Sequence, residues 1–148
     1  MREINTGIYA FNNQSLFEGL KHLNNNNAQH EYYLTDLVDI LKKLGKKVVA
    51  IPCDDWQEVQ GINGNVELAH AAKYMQERIN TEWMKKGVTI YDPNTTYIGP
   101  NVTFGTDVII HPNTYLYGDT VVEDYAEILP STWLEDANVS KAETVGPF

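Results

Sequence analysis

From Ile98 onward, large apolar residues recur every six positions: Ile98, Phe104, Ile110, Leu116, Val122, Ile128 and Leu134. Four positions after each stand Val102, Val108, Thr114, Thr120, Ala126, Thr132 and Asn138, all small or β-branched apart from the last. A six-residue step holds one short strand and one corner, so three steps close a triangular coil of about 18 residues with the large side chain pointing inward. Stacked coils are joined by parallel backbone hydrogen bonds at about 4.8 Å. The pattern therefore predicts a left-handed parallel β-helix, with Ile98, Leu116 and Leu134 in one inner column and Phe104 and Val122 in the next. Gly99, Pro100, Gly105, Pro112, Gly118 and Pro130 fall beside the inward residues, where a corner limits bulk or fixes the backbone. The spacing slips by one residue between Leu134 and Val139 and resumes at Val145, which predicts a bulge or loop. The last coil is barely begun at Phe148, and the stack is expected to be a cut piece of a longer one.

Ahead of Gly87 the periods differ. Ile4 to Phe11 alternates like a strand, and Ser15-Leu16-Phe17-Glu18 has capping-box spacing for a short helix to about Leu23. The run Asn24 to Asn27 favours a loop, because asparagine side chains bond nearby backbone. Leu34, Leu37, Val38, Leu41 and Leu44 recur at helical spacing up to Gly45, and the short apolar run Val48 to Ile51 predicts a buried strand, with Cys53 buried beside it. A second long helix is expected from about Asn65, with Leu68, Ala72, Met75, Ile79 and Trp83 on one face, stopped by Gly87. It is long enough, at about 1.5 Å per residue, to connect one domain to the next.

Charge narrows the partners. Eleven basic against 20 acidic side chains give a formal net charge of −9, which repels nucleic-acid phosphates and anionic lipid surfaces. No long apolar run and no basic-then-apolar start is present in this sequence, and a cytoplasmic protein is expected. A single cysteine, Cys53, permits neither an intrachain disulfide nor a thiolate cluster.

Several spaced motifs occur together. Glu3-Ile4-Asn5-Thr6-Gly7-Ile8, Asn25 to Asp36 (Asn-Asn-Asn-Ala-Gln-His-Glu-Tyr-Tyr-Leu-Thr-Asp), Glu58-Val59-Gln60-Gly61-Ile62-Asn63, Asp136-Ala137-Asn138 and Val145-Gly146-Pro147-Phe148 follow one another. In that order they resemble the bacterial bifunctional N-acetylglucosamine-1-phosphate uridyltransferase and glucosamine-1-phosphate acetyltransferase, over nearly the whole chain. The resemblance implies an α/β segment at 1–64 that ends a Rossmann-like nucleotidyltransferase domain, a linker helix at 65–87, and the first coils of a left-handed β-helix of hexapeptide repeats at 88–148. It implies a transferase that makes UDP-N-acetylglucosamine for the cell envelope. One domain joins UTP to N-acetylglucosamine 1-phosphate with Mg2+, and a trimeric β-helix moves acetyl from acetyl-CoA to glucosamine 1-phosphate.

Two residues carry over as binding positions. Asn5 matches the asparagine that contacts the sugar nucleotide, since an amide can donate to and accept from hydroxyl and acetamido groups. Asn63 matches the asparagine whose oxygen binds Mg2+. Read from the residues alone, Asn5 is a strand-end side chain bonding its own backbone and Asn63 a plain helix cap. No catalytic residue is assigned. No Gly-rich basic loop precedes Asn5 in this sequence, the metal-binding aspartate has no counterpart, and His22, His30, His70 and His111 do not match the acetyltransfer histidine. His111 is expected on the surface at a corner. His30 replaces a glycine common in the family before Glu-Tyr-Tyr, and the coils ahead of Glu135 are fewer than the resemblance implies. Tyr91, Tyr97, Tyr115, Tyr117 and Tyr125 form either a binding stripe or packing between coils or subunits. Alone, the chain is expected to be inactive. A non-catalytic module that forms a homotrimer through the β-helix is the alternative.

Overall fold

The structure is a computed structural model and describes residues 4–147, so Glu3 and Phe148 of the quoted motifs lie outside the described residues. The chain forms two compact units, one up to Gly61 and one from Ile62 onward.

The second unit opens with helix α3 (Asn65–Lys85) and continues as ten short strands. These are β1 (Thr89–Ile90), β2 (Thr96–Ile98), β3 (Thr103–Phe104), β4 (Ile109–Ile110), β5 (Thr114–Tyr117), β6 (Val121–Val122), β7 (Glu127–Ile128), β8 (Trp133–Glu135), β9 (Asn138–Val139) and β10 (Thr144–Val145). They pair in parallel into three sheets, ordered β1-β4-β7-β10, β2-β5-β8 and β3-β6-β9. This is a three-sided parallel β-solenoid of about three turns, and it fits the left-handed β-helix expected from the six-residue step.

The columns stand where the periodicity places them. Ile98, Leu116 and Leu134 align in one, and Phe104, Val122 and Val139 in the next. The third column begins earlier than the pattern indicates, as Ile90 aligns with Ile110, Ile128 and Val145. Ile110, Leu116, Val122 and Ile128 are fully buried, and each such side chain is worth roughly 1.5–3 kcal/mol relative to exposure. The second set is inward too. Thr96, Thr114, Thr120 and Thr132 are fully buried, and their hydroxyls donate at 2.6–2.8 Å to the carbonyls of Asp92, His111, Tyr117 and Leu129. A hydroxyl thus enters the apolar prism only because the corner before it supplies an acceptor.

Corners take left-handed backbone at Asp107, Asn113, Gly118, Tyr125, Ser131, Asp136 and Ala142, with φ from 50° to 61°. Short polar side chains tolerate this region, whereas Tyr125 and Ala142 hold it against their own preference. The irregular step after Leu134 is neither a bulge nor a loop. The corner at Asp136 is one residue shorter, so Val139 still aligns beneath Val122, and Asn138 is exposed rather than inward.

Helix α3 packs its second half on the first coil. Its buried residues are Gln76 and Asn80, while Ile79 and Trp83 pack against the solenoid core. Leu68 and Met75, expected on the buried face, are exposed. The reason is that the helix meets an open strand edge, which needs donors more than it needs apolar area. Gln76 Nε2 donates to the carbonyls of Pro93, Asn94 and Thr96, and Asn80 Nδ2 donates to those of Pro93 and Thr96. Trp83 meets Phe104 edge to face, with centroids 4.9 Å apart.

The first unit contains α1 (Asn13–Leu20), a 3-10 turn at Leu34–Asp36 running into α2 (Leu37–Lys43), and a 3-10 turn at Trp56–Val59 that the periodicity does not reveal. Leu37 and Leu41 are its buried apolar residues, packed against Gly19. The helix begins three residues before the predicted capping box, because Asn12 Oδ1 accepts the Ser15 N–H. The strands expected at Ile4 to Phe11 and Val48 to Ile51 do not form. A strand is defined by a hydrogen-bonded neighbour, and neither segment finds one within this unit. Ile4, Ile8, Val49 and Ile51 are accordingly exposed, and so is Cys53, whose Sγ donates to the Asp55 carbonyl at 3.1 Å.

Candidate functional site

Asn5 sits in a tight turn. Its Oδ1 accepts the Gly7 N–H at 3.0 Å and its Nδ2 donates to the Tyr9 hydroxyl at 2.5 Å, while Gly7 has φ +76°. The side chain is exposed but already bonded, the arrangement an asparagine adopts in an Asx turn. To reach a sugar it must exchange both bonds.

Asn63 is exposed immediately before α3 and has no hydrogen-bond partner among the described residues. The helix cap is Gly64, without a side-chain bond, so Asn63 is not the plain cap that its position suggests. Asn5 belongs to the first compact unit and Asn63 to the start of the second.

A Mg2+ ion favours several hard oxygens, carboxylates above all. Asn63 offers one neutral amide oxygen, and among the described residues no group of three or more His, Cys, Asp or Glu side chains is placed to hold a metal. The described residues do not by themselves fit the ion.

The loop expected to differ at His30 has a specific geometry. His30 takes φ +55°, the backbone region that glycine favours, and Asn27 braces the turn by accepting the N–H groups of Gln29 and Glu31 and donating to the Glu31 carbonyl. Histidine thus occupies a glycine conformation at a cost in strain.

On the solenoid, His111 lies at a corner as expected, yet it is paired. Its Nε2 is 2.7 Å from Glu127 Oε1, one coil below, and Tyr91 meets its ring edge on at 4.9 Å. The tyrosine stripe divides. Tyr91 joins His111, Tyr125 is exposed at a corner under Lys141, and Tyr97 stacks on Tyr115 at 5.0 Å and 2° between planes. Trp133 continues that stack at 5.4 Å from Tyr115 and also meets Tyr117 at 5.1 Å. Packing between neighbouring coils therefore accounts for this ladder. Sequence reasoning omitted Trp133, although Tyr97, Tyr115 and Trp133 are spaced by one coil each, which was the signal to find it. Burial, followed by the neighbouring Tyr115 and Tyr97, pushes the Tyr117 hydroxyl above its ordinary value, so it stays neutral.

No family model matches the chain. It is similar to proteins named bifunctional protein GlmU: 43% identical over 97% of this chain to that of Halalkalibacterium halodurans, and 45% over 98% to that of a Geobacillus species. The protein of Clostridium tetani is 42% identical over all of it. The matches cover 31%, 32% and 36% of those proteins, so the chain spans about a third of the length of the curated relatives it matches. The Clostridium tetani match extends over 164 positions against 148 residues here, a difference close to one coil.

Proposed function

We propose that this chain is a segment of a GlmU-type bifunctional enzyme that makes UDP-N-acetylglucosamine, joining the end of its uridyltransferase domain (1–64) through α3 to the first coils of its acetyltransferase β-helix (88–148). The observation that carries this reading is the similarity over at least 97% of the chain, across two units of unrelated architecture. A shared solenoid alone would match only the hexapeptide part. In this reading the first unit is the terminal part of a Rossmann-like domain, and its unpaired strand-like segments belong to a sheet whose other strands this chain does not contain.

The substrates are UTP and N-acetylglucosamine 1-phosphate for one reaction, and acetyl-CoA and glucosamine 1-phosphate for the other. Asn5 contacts the sugar nucleotide once its bonds to Gly7 and Tyr9 are exchanged. Asn63 is the residue toward Mg2+, and carboxylates from outside this chain have to complete that site. The enzyme is cytoplasmic and assembles as a homotrimer through the β-helix; no helix of the described residues is long and apolar enough to cross a membrane. Phosphoryl transfer depends on positioning and charge stabilisation, and this chain holds neither a phosphate-cradling loop nor a metal cluster among its described residues, so alone it is inactive.

The test is a chimera in which this chain replaces the matching third of the Geobacillus relative. It is expected to release pyrophosphate from UTP and N-acetylglucosamine 1-phosphate, with Asn5→Ala and Asn63→Ala each lowering that rate by about 10- to 100-fold, the loss expected for a removed binding contact. A folded chimera that lacks the uridyl activity, or one that ignores both substitutions, overturns the assignment. The second reading, a non-catalytic trimerising module, is favoured by one observation: the large buried apolar cluster lies entirely within the solenoid and the helix packed on it. Pyrophosphate release by the chimera rejects it.

A further inference from the structure

We infer that Asn63 and Gly64 form a self-modification site, at which the chain converts the Asn63 amide to an aspartyl or isoaspartyl acid with water as the only co-reactant. Three observations carry it.

The first is sequence. Asn63-Gly64 is the one Asn-Gly pair in the chain, and every other asparagine is followed by a residue that bears a side chain. The reaction needs the backbone nitrogen of the following residue to attack the asparagine Cγ, and a Cβ on that residue stands in the way. Glycine removes the obstacle.

The second is local structure. Asn63 and Gly64 are exposed, Asn63 lies outside any helix or strand, and its amide has no hydrogen-bond partner among the described residues. The Gly64 carbonyl accepts the Leu68 N–H at 3.0 Å, while the Gly64 N–H makes no hydrogen bond among the described residues. Nucleophile and electrophile are therefore both free. Beyond its chain neighbours, the space around Gly64 holds only the Glu67 carboxylate, 3.1 Å from where a Cβ would stand.

The third is the contrast with other asparagines. Asn5 is bonded to Gly7 and Tyr9, Asn12 accepts the Ser15 N–H, Asn27 braces its turn through three bonds, and Asn80 is fully buried on the Pro93 and Thr96 carbonyls. Each must give up hydrogen bonds before its Cγ can turn toward the backbone. Asn63 has none to give up.

The Gly64 nitrogen, its proton lost to solvent base, bonds to the Asn63 Cγ; the Cγ–Nδ2 bond breaks, and ammonia leaves with a proton from water. Water then opens the resulting succinimide at either carbonyl. One opening gives aspartate, and the other gives isoaspartate, whose main chain runs through Cβ and is longer by a methylene. Either product puts a negative charge where a neutral amide stood. The consequence for activity rests on the reading of Asn63 as the residue toward Mg2+; the reaction does not.

The full chain, incubated at mildly alkaline pH and physiological temperature, is followed by peptide mass spectrometry and by enzymic methyl labelling of isoaspartate. Asn63 is expected to gain the mass difference between amide and acid ahead of every other asparagine, faster as pH rises, and at a rate close to that of the chain unfolded in urea. Gly64 has φ −162°, extended backbone that any residue adopts, so Gly64→Ala is expected to lose most of the conversion with an unchanged circular dichroism spectrum. An Asn63 that outlasts any other asparagine, or that reacts many-fold more slowly folded than unfolded, overturns the inference. In the chimera, pyrophosphate release is expected to decline in step with isoaspartate at position 63, and more slowly in Gly64→Ala. Conversion without that decline overturns the role given to Asn63 in the enzyme, and the modification, read by mass, stands apart from it.

Discussion

The two units of this chain spend their apolar residues in opposite ways. In the solenoid each large side chain points into a column made by its own neighbours one coil away, and Ile110, Leu116, Val122 and Ile128 are completely buried. In the first unit the same kinds of residue, Ile4, Ile8, Val49 and Ile51, are left in solvent, and Leu37 and Leu41 are its buried apolar residues. A repeat supplies each residue with its partner at a fixed distance along the chain, so a few coils suffice to close a core. A sheet assembled from distant strands has no such guarantee. In the first unit the helices, which bond within themselves, form, and the strand-like segments stay unpaired.

The contrast is broken most directly by a pair of truncations. Leu116→Ala is expected to cost about 2–5 kcal/mol in urea unfolding followed by circular dichroism, whereas Ile51→Ala in the first unit changes stability by no more than about 0.5 kcal/mol. Equal losses would mean that the first unit holds a core after all. Next in size is the junction of α3 and the first coil. Gln76→Met leaves the Asn94 carbonyl without its donor, for about 1–2 kcal/mol, and speeds amide exchange in β2 ahead of β8. Uniform protection in that variant would show that the helix does not stabilise the edge. Thr114→Val, nearly the same shape, removes the hydroxyl bond to the His111 carbonyl and is expected to cost about 0.5–1.5 kcal/mol, read as a lower thermal midpoint.

The smallest effect concerns pH and the first unit alone. Lys46 Nζ lies 2.8 Å from Glu18 Oε2, and that hydrogen bond together with the lysine charge holds the Glu18 carboxyl below its ordinary value of 4.5. A carboxylate depressed in the folded state stabilises above its ordinary value, and the contribution is lost as pH falls through the lowered one. Both groups are substantially solvated, so the effect is slight. NMR titration is expected to return Glu18 to the ordinary range in Lys46→Met; an unchanged midpoint removes the pair from the account.

The solenoid was legible in sequence because its period is local: seven apolar residues at one spacing place their own columns. What escaped were positions decided by something other than the period. Asn138 has the right spacing but faces out, since the corner at Asp136 is one residue short. Leu68 and Met75 have the right helical phase but are exposed, because α3 docks through Gln76 and Asn80 on carbonyls and through Ile79 and Trp83 on the solenoid core. Ile4 to Phe11 and Val48 to Ile51 read as strands, and their pairing partners are nowhere in the first unit. The candidate binding residues were legible only through resemblance. Nothing in composition or spacing separates Asn5 from any turn asparagine, and its bonds to Gly7 and Tyr9 are those of an ordinary turn.

The amides of Gln76 and Asn80 have a consequence for how these molecules can grow. An uncovered coil rim is a template, and any extended segment of matching hydrogen-bond spacing can add to it and start a fibre. With the Pro93, Asn94 and Thr96 carbonyls already taken and Trp83 seated over Phe104, the rim at β2 and β3 is blunted against such addition. An incoming strand finds those acceptors at β2 already used.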